Sequence, residues 1–116
     1  MGIDIYAQCE GQQAQPWLSV QDGDHGYLRE AYHGEPYATK FLCAEAFPEG
    51  GARIKAAILR KRLPQTLTIV EQRWRKLYRF SDQIIEAEKN NFRNFVRLCE
   101  RMESQTGKPV LIVASY

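Results

Sequence analysis

Chemically capable side chains are densest in residues 26–39, GYLREAYHGEPYAT. The segment holds three tyrosines, a histidine, an arginine and two glutamates. Flat tyrosine rings suit a planar ligand, the Arg29 guanidinium suits a phosphate or a carboxylate, and His33 with a nearby glutamate forms a donor–acceptor pair. Together these groups predict a site for a ligand that has a ring and an anionic group. The predicted ligand-binding residues are Tyr27, Arg29, Glu30, Tyr32, His33, Glu35 and Tyr37.

Three other interpretations of this segment stay open. His33 with Glu30 or Glu35 would form an acid–base pair in a small enzyme, although the sequence has no GxSxG or HExxH motif. A metal site at His25 and His33 matches no known ligand spacing, so we predict no metal and no cofactor. The tyrosines and His33 would otherwise serve packing alone. We favour binding over catalysis.

The segment YLREAYHGEPYA, together with the MGIDIYAQ start and the later GARIKAAILRKRLP, resembles small uncharacterised proteins of bacteria and their phages. The resemblance covers much of the chain, and no established activity is attached to such proteins. It implies a small accessory or inhibitor role that is exercised by binding rather than by metabolic catalysis.

Charge is segregated along the chain, although the net charge is only +2. Residues 1–49 sum to −6, residues 53–79 sum to +8, and the last third is neutral. Like charges within a Debye length of about 10 Å concentrate anions. The partner would be an anionic small molecule, an acidic protein or, as an alternative, the phosphates of a nucleic acid. The predicted anion-binding residues are Arg60, Arg62, Arg75, Lys76 and Arg79.

The segregated charges have a second explanation that needs no external anion. The acidic first half would lie against the basic helices of the same chain, where surface ion pairs are common and individually weak. Alternatively, the acidic half of a second subunit would do so in a homodimer, where tyrosine and arginine are typically enriched at the interface. We predict a homodimer.

Hydrophobic periodicity predicts strands in the first half and at the C-terminus. Apolar residues alternate with polar ones over 2–9, which predicts a strand with one buried face. WLSV at 17–20 predicts a second strand in a hairpin with the first, and YATKFLC at 37–43 predicts a third. The apolar run at 110–116 predicts a central strand covered on both faces, near the N-terminal strand.

Apolar spacings of three and four predict helices in the second half. One is expected at 52–62, where Pro64 ends or kinks it, and a second runs from Pro64 to about 79. A third begins after Ser81 or Asp82 and ends at Gly107. The predicted fold is α+β, with about four strands and three helices in one domain over 1–116. It has an acidic β-rich half at 1–49 and a helical half with the C-terminal strand at 52–116.

Length, targeting signals and cysteines place further limits on the protein class. The 116 residues suffice for one domain with a buried core. There is no apolar run of the length that a signal peptide or a membrane span needs, so we expect no membrane contact. Cys9, Cys43 and Cys99 are odd in number and show no CxxC spacing. They predict buried, reduced thiols in a cytoplasmic protein.

Overall fold

The computed structural model describes residues 2–8, 23, 26–77 and 81–116. The predicted strand at 17–20 and its hairpin lie outside these residues. The described elements, in chain order, are β1 (Gly2–Gln8), β2 (Tyr27–Ala31), α1 (Ala38–Leu42), a 3₁₀ turn (Ala44–Ala46), β3 (Gly51–Ile54), α2 (Ala56–Leu77), α3 (Asp82–Thr106) and β4 (Val110–Ser115). The fold is α+β, as predicted.

The four strands form one antiparallel sheet in the order β2–β1–β4–β3. β1 and β4 are the central pair, so the predicted proximity of the N- and C-terminal strands is confirmed. One face of the sheet packs on the helices through residues such as Ile5, Leu28, Ile54 and Ile112. The prediction that β4 is covered on both faces is wrong, because its residues alternate between buried and partly exposed.

The prediction of a strand at 37–43 is also wrong, because this segment forms α1. Ala38, Thr39 and Leu42 are buried, at a spacing that places them on one helix face. The Glu30 carboxylate, at the end of β2, accepts hydrogen bonds from the amides of Ala38 and Thr39. The N–H groups of the first helical turn thus find an acceptor in another element, which the local sequence does not reveal.

The predicted helices at 52–62 and 64–79 are in fact a strand followed by one helix. β3 pairs with β4, and α2 continues through Pro64 without a break. The position of Ile54 fits the apolar spacing of a strand as well as that of a helix. The apolar spacing therefore did not distinguish β3 from the start of a helix. An interior proline costs a helix about 3 kcal/mol. The burial of residues such as Leu59 and Leu63 in the core offsets that cost.

α3 follows its prediction closely. The Ser81 hydroxyl accepts a hydrogen bond from the Ile84 amide at the first turn. Gly107 ends the helix with φ of 73°, a left-handed conformation that glycine adopts without strain. The predicted inner face is buried: Ile85, Phe92, Phe95, Val96, Cys99 and Met102. Among the described helices, none is long and apolar enough to cross a membrane.

Candidate functional site

The segment between β2 and α1, residues 32–37, forms a turn that is held from α2, and we call it the anchored turn. The Arg73 guanidinium donates hydrogen bonds to the carbonyl oxygens of His33 at 3.1 Å, Gly34 at 2.7 Å and Pro36 at 2.9 Å. Gly34 has φ of 90°, which residues with a side chain rarely adopt. The backbone of the turn is therefore fixed, and its side chains are presented from defined positions.

A cavity of about 420 Å³ lies at the end of the sheet where β1 begins and β4 ends. We call it the aromatic cavity, and it is lined by Ile3, Tyr32, Tyr37, Lys40, Ala44, Phe47, Pro48 and Tyr116. The Tyr37 hydroxyl accepts a hydrogen bond from the Gly34 amide at 3.0 Å. The Tyr116 hydroxyl donates to the Phe47 carbonyl, and the two rings lie 5.2 Å apart. Three of the four aromatic walls are thus held by contacts within the protein.

Lys40 supplies the positive charge of the aromatic cavity. Its Nζ lies 3.1 Å from Glu35 Oε1, and the two side chains are 51% and 65% exposed. An exposed ion pair of this kind contributes about 0–1 kcal/mol, so a ligand anion can replace the Glu35 carboxylate at little cost. Tyr32 is 49% exposed and offers an accessible ring beside this ammonium group. The cavity therefore combines stacking surfaces with one exchangeable cation.

A second cavity, of about 220 Å³, lies at the sheet edge between β2, α2 and α3. We call it the edge cavity, and it is lined by Arg29, Glu30, Ala31, His33, Val70, Arg73, Trp74, Glu88 and Phe92. His33 and Glu30 converge here, with His33 Nε2 3.4 Å from Glu30 Oε2. Their side chains are only 9% and 11% exposed. The acid–base interpretation required such a contact between His33 and a glutamate. Whether the pair can act in catalysis depends on the other hydrogen-bond partners of His33 and Glu30.

Both ring nitrogens of His33 face oxygen atoms of the protein. Nδ1 lies 3.3 Å from the Gly34 carbonyl, and Nε2 faces Glu30. The Glu30 carboxylate also accepts hydrogen bonds from the Ala38 amide and from the amide and the hydroxyl of Thr39, the last at 2.7 Å. A general base needs an atom within reach of the substrate proton. This geometry favours a role for the pair in positioning the start of α1.

Tyr27 and Arg29 lie on the sheet face opposite to the core, paired across the strands with Tyr6 and Asp4. The Tyr27 ring stacks on Tyr6 at 5.1 Å, and its hydroxyl donates to Asp4 Oδ1 at 2.6 Å. Burial raises the pKa of Tyr27, and the hydrogen bond to Asp4 raises it further. Arg29 Nη1 donates to the same oxygen at 2.9 Å. The cation of the aromatic cavity is therefore Lys40 and not Arg29.

Two of the predicted anion-binding arginines on α2 bind carboxylates of the same chain through paired hydrogen bonds. Arg60 binds Glu100 of α3, with a shortest distance of 2.6 Å, and Arg62 binds Glu45 at the same shortest distance. These guanidinium hydrogen bonds lower the pKa of Glu45 and of Glu100. Both arginines thus join α2 to a neighbouring element.

Of the other three predicted residues, Arg75 and Lys76 lie in the last turn of α2. Arg75 Nη2 is 2.7 Å from Asp82 Oδ1 at the start of α3. Lys76 is exposed, and Arg79 lies outside the described residues. The acidic first half contributes Glu45 to these pairs, whereas the other partners come from α2 and α3. The idea that the acidic half neutralises the basic helices thus holds for one ion pair of this set.

Of the eight residues that line the aromatic cavity, sequence reasoning named only Tyr32 and Tyr37. The missed residues include Lys40, Phe47 and Tyr116. Lys40 was missed because the sequence predicted a strand at 37–43, whereas helix α1 brings Lys40 onto the same face as Tyr37, three positions earlier. Phe47 and Tyr116 are 69 positions apart and meet only through the sheet topology. Across the described ranges, no three His, Cys, Asp or Glu side chains gather to hold a metal ion. His25 falls outside those ranges.

Comparison with known proteins found no protein-family model, no curated protein and no solved structure that matches this chain. Its function is therefore inferred from the geometry of its own residues.

Proposed function

We propose that this protein is a non-enzymatic binding protein whose aromatic cavity takes a small molecule with a planar ring and an anionic group, as in a nucleotide. The observation that carries the proposal is a cavity of about 420 Å³ with four aromatic walls and a single lysine. Ligand pockets have volumes of about 300–1,000 Å³ and are mostly apolar with a few placed polar groups. The aromatic cavity has this size and this composition.

The ligand chemistry follows from the wall residues. Tyr32, Tyr37 and Tyr116 present flat surfaces that favour stacking with a ring. Lys40 is a compact charge on a flexible stem, so it can follow a phosphate or a carboxylate without demanding a fixed fork geometry. The Lys40 ammonium group forms an ion pair with the Glu35 carboxylate. The anionic group of the ligand displaces this carboxylate on binding. A neutral ring would lack the charge contact and should bind more weakly.

Catalysis has less support than binding. The only His–Glu pair in the described part of the chain has its polar atoms engaged with the protein. Burial raises the pKa of the Cys43 thiol well above its ordinary value, so this cysteine lacks the thiolate that a nucleophile needs. With the phage-type resemblance of its sequence, the protein fits an accessory or inhibitor role exercised by binding. Its buried cysteines, Cys43 and Cys99, fit the reducing cytoplasm.

The same proposal includes a homodimer. Arg60, Arg62 and Arg75 already have partners within the subunit, so the charges that remain for a second subunit include exposed lysines such as Lys76. An interface of this kind would be electrostatic and sensitive to salt.

A thermal-shift screen tests the ligand proposal. The probes are mononucleotides and cyclic dinucleotides, each compared with its uncharged nucleoside. A ligand at a hundred times its dissociation constant stabilises the protein by about 2.7 kcal/mol. We expect stabilisation by at least one nucleotide and a smaller effect of its nucleoside.

Two variants localise the effect. Lys40→Gln should reduce the nucleotide-induced shift, whereas Lys61→Gln, which removes the same charge from an exposed position on α2, should leave it unchanged. The absence of a shift with every anion would contradict the proposal. An equal reduction of the nucleotide-induced shift in Lys40→Gln and Lys61→Gln would also contradict the proposal.

A further inference from the structure

The opposite end of the sheet from the aromatic cavity gathers basic residues from two distant segments. Residues 53–61 enter α2 from β3, and residues 97–108 end α3 before β4. Arg60 binds Glu100 across the two helices, and Glu103 Oε2 accepts a hydrogen bond from the Ala56 amide at 2.7 Å. These contacts place the two segments side by side. We call them together the basic end.

The basic end concentrates positive charge. It contains seven arginines and lysines, all exposed, and two glutamates, so its net charge is +5. The rest of the chain sums to −3. Both glutamates are engaged, Glu100 by a guanidinium and Glu103 by a backbone amide.

We propose that the basic end binds the phosphate backbone of duplex nucleic acid without sequence preference. Charge complementarity carries the proposal, because exposed cations on neighbouring elements act together on a regular line of phosphates when they lie within a Debye length of about 10 Å. Arg97 and Arg101 are one turn apart on the outer side of α3, about 6 Å along the helix axis. Lys61 extends the charged surface onto the neighbouring α2.

The distribution of exposed apolar side chains favours a duplex over single-stranded nucleic acid or a membrane surface. Among the described residues, the large exposed hydrophobic side chains are Tyr32, Phe41, Ile84 and Tyr116, and none of them belongs to the basic end. Single-stranded nucleic acid is bound by aromatic stacking together with charge. A membrane surface is bound by apolar insertion together with charge. A surface with charge alone fits the outside of a duplex, where phosphates are the accessible groups.

This surface differs from the one that the sequence predicted for nucleic acid on α2. Arg62 and Arg75 are paired to carboxylates, and of the five residues predicted there, Arg60 alone belongs to the basic end. The proposal is also independent of the aromatic cavity, because the two sites share no residue. Failure of one therefore leaves the other intact.

Fluorescence anisotropy with a labelled duplex of about 20 base pairs tests the proposal. If about five phosphates are neutralised, log K falls with log salt at a slope of about −4.5. Binding should then weaken roughly 500-fold between about 50 mM and about 200 mM salt. No binding at the lower salt would overturn the proposal.

Charge-matched variants locate the surface. Arg97→Gln/Arg101→Gln should weaken binding at least tenfold and reduce the slope by about 1.8. Lys55→Gln/Lys61→Gln should act in the same direction. Arg75→Gln/Lys76→Gln removes the same charge from the far end of α2 and should change affinity less than about twofold. Circular dichroism establishes that each variant is folded.

Competing polyanions complete the test. A single-stranded oligonucleotide or a vesicle rich in phosphatidylserine should bind more weakly than the duplex at equal salt. Tighter binding of either one overturns the proposal in favour of that partner. Equal weakening by the α2 control variant overturns the assignment to the basic end.

Discussion

The Glu30 carboxylate connects three parts of the candidate site. It accepts hydrogen bonds from the Ala38 amide and from the amide and hydroxyl of Thr39, and it faces the His33 ring. Thr39 is fully buried, so its donors have no access to water. The carboxylate thereby fixes the start of α1, which carries Lys40 into the aromatic cavity. Glu30, which the sequence predicted to contact the ligand directly, thus positions the helix that carries Lys40.

Substitution Glu30→Ala should destabilise the fold. It leaves the buried Thr39 donors without acceptors, and hydrogen bonds to charged groups contribute about 1.5–3 kcal/mol. We expect a loss of about 2–3 kcal/mol in the free energy of unfolding, measured by chemical denaturation. The exposed control Glu49→Ala should change it by less than about 0.5 kcal/mol. Equal effects of the two substitutions would contradict the role assigned to Glu30.

Glu45 and Glu100 should make stability depend on pH. Their folded-state pKa values are lowered from 4.5 by hydrogen bonds from Arg62 and Arg60. The unfolded chain therefore binds more protons near that pH, so the stabilisation is present above about 4.5 and is lost as pH falls through the lowered values. Both carboxylates are partly exposed, so solvent screening keeps the effect small.

The double variant Glu45→Gln/Glu100→Gln isolates this contribution. Its free energy of unfolding should be lower than that of the original protein at about pH 6, and the difference should shrink towards about pH 3. Arg60→Gln/Arg62→Gln should show the same trend, because it removes the other half of each pair. A difference that does not change with pH would show that these ion pairs are not linked to folding.

At the scale of elements, the anchored turn depends on a single side chain of α2. Arg73 donates to three carbonyl oxygens of this turn, an arrangement that requires a planar fork with several donors. Tyr32 and Tyr37, which belong to the same turn, line the aromatic cavity. α2 therefore positions the cavity through the turn without lining it.

Substitution Arg73→Lys should loosen the turn while keeping the charge. A lysine cannot span three acceptors, and the loss of a charge-assisted hydrogen bond of about 1.5 kcal/mol corresponds to roughly tenfold faster local opening. We expect hydrogen exchange at the Gly34 amide to accelerate by this factor. Arg75→Lys serves as control, because its carboxylate partners accept a lysine equally well. An unchanged exchange rate at Gly34 would contradict the anchoring role.

The elements also show how far the sequence carries the fold. α3 was predictable, because its apolar spacing, its Ser81 cap and its Gly107 stop all agree. α1 was not, because its cap comes from Glu30 in another element. β3 was missed because the position of Ile54 fits the apolar spacing of both a strand and a helix. The local sequence therefore predicts an element such as α3, whose caps and apolar spacing lie within its own residues. It fails where contacts with another element determine the conformation, as in α1.

At the scale of the whole molecule, the structure separates groups that the sequence placed in one site. Tyr32 and Tyr37 line the aromatic cavity, His33 and Glu30 line the edge cavity, and Tyr27 is buried on the sheet face opposite the helices. The residue types led to the hypothesis of a ligand with a ring and an anionic group. The cavity itself was not, because it forms where both chain-terminal strands meet the helices.

The homodimer prediction belongs to this scale. If the acidic part of one subunit meets the exposed lysines of another, association should weaken as salt rises, because exposed charge pairs are screened. We expect light scattering at tens of micromolar protein to give a dimer mass at low salt and a lower average mass at high salt. A monomer mass at low salt would contradict the prediction.

The most direct test of the central claim is amide NMR during titration with adenosine 5′-monophosphate, with adenosine as the uncharged comparison. The account predicts chemical-shift changes concentrated at the aromatic cavity, at residues such as Tyr32, Lys40 and Tyr116, with weaker changes for adenosine. No change at millimolar nucleotide, or changes confined to the basic end, would contradict the claim that the aromatic cavity is the ligand site.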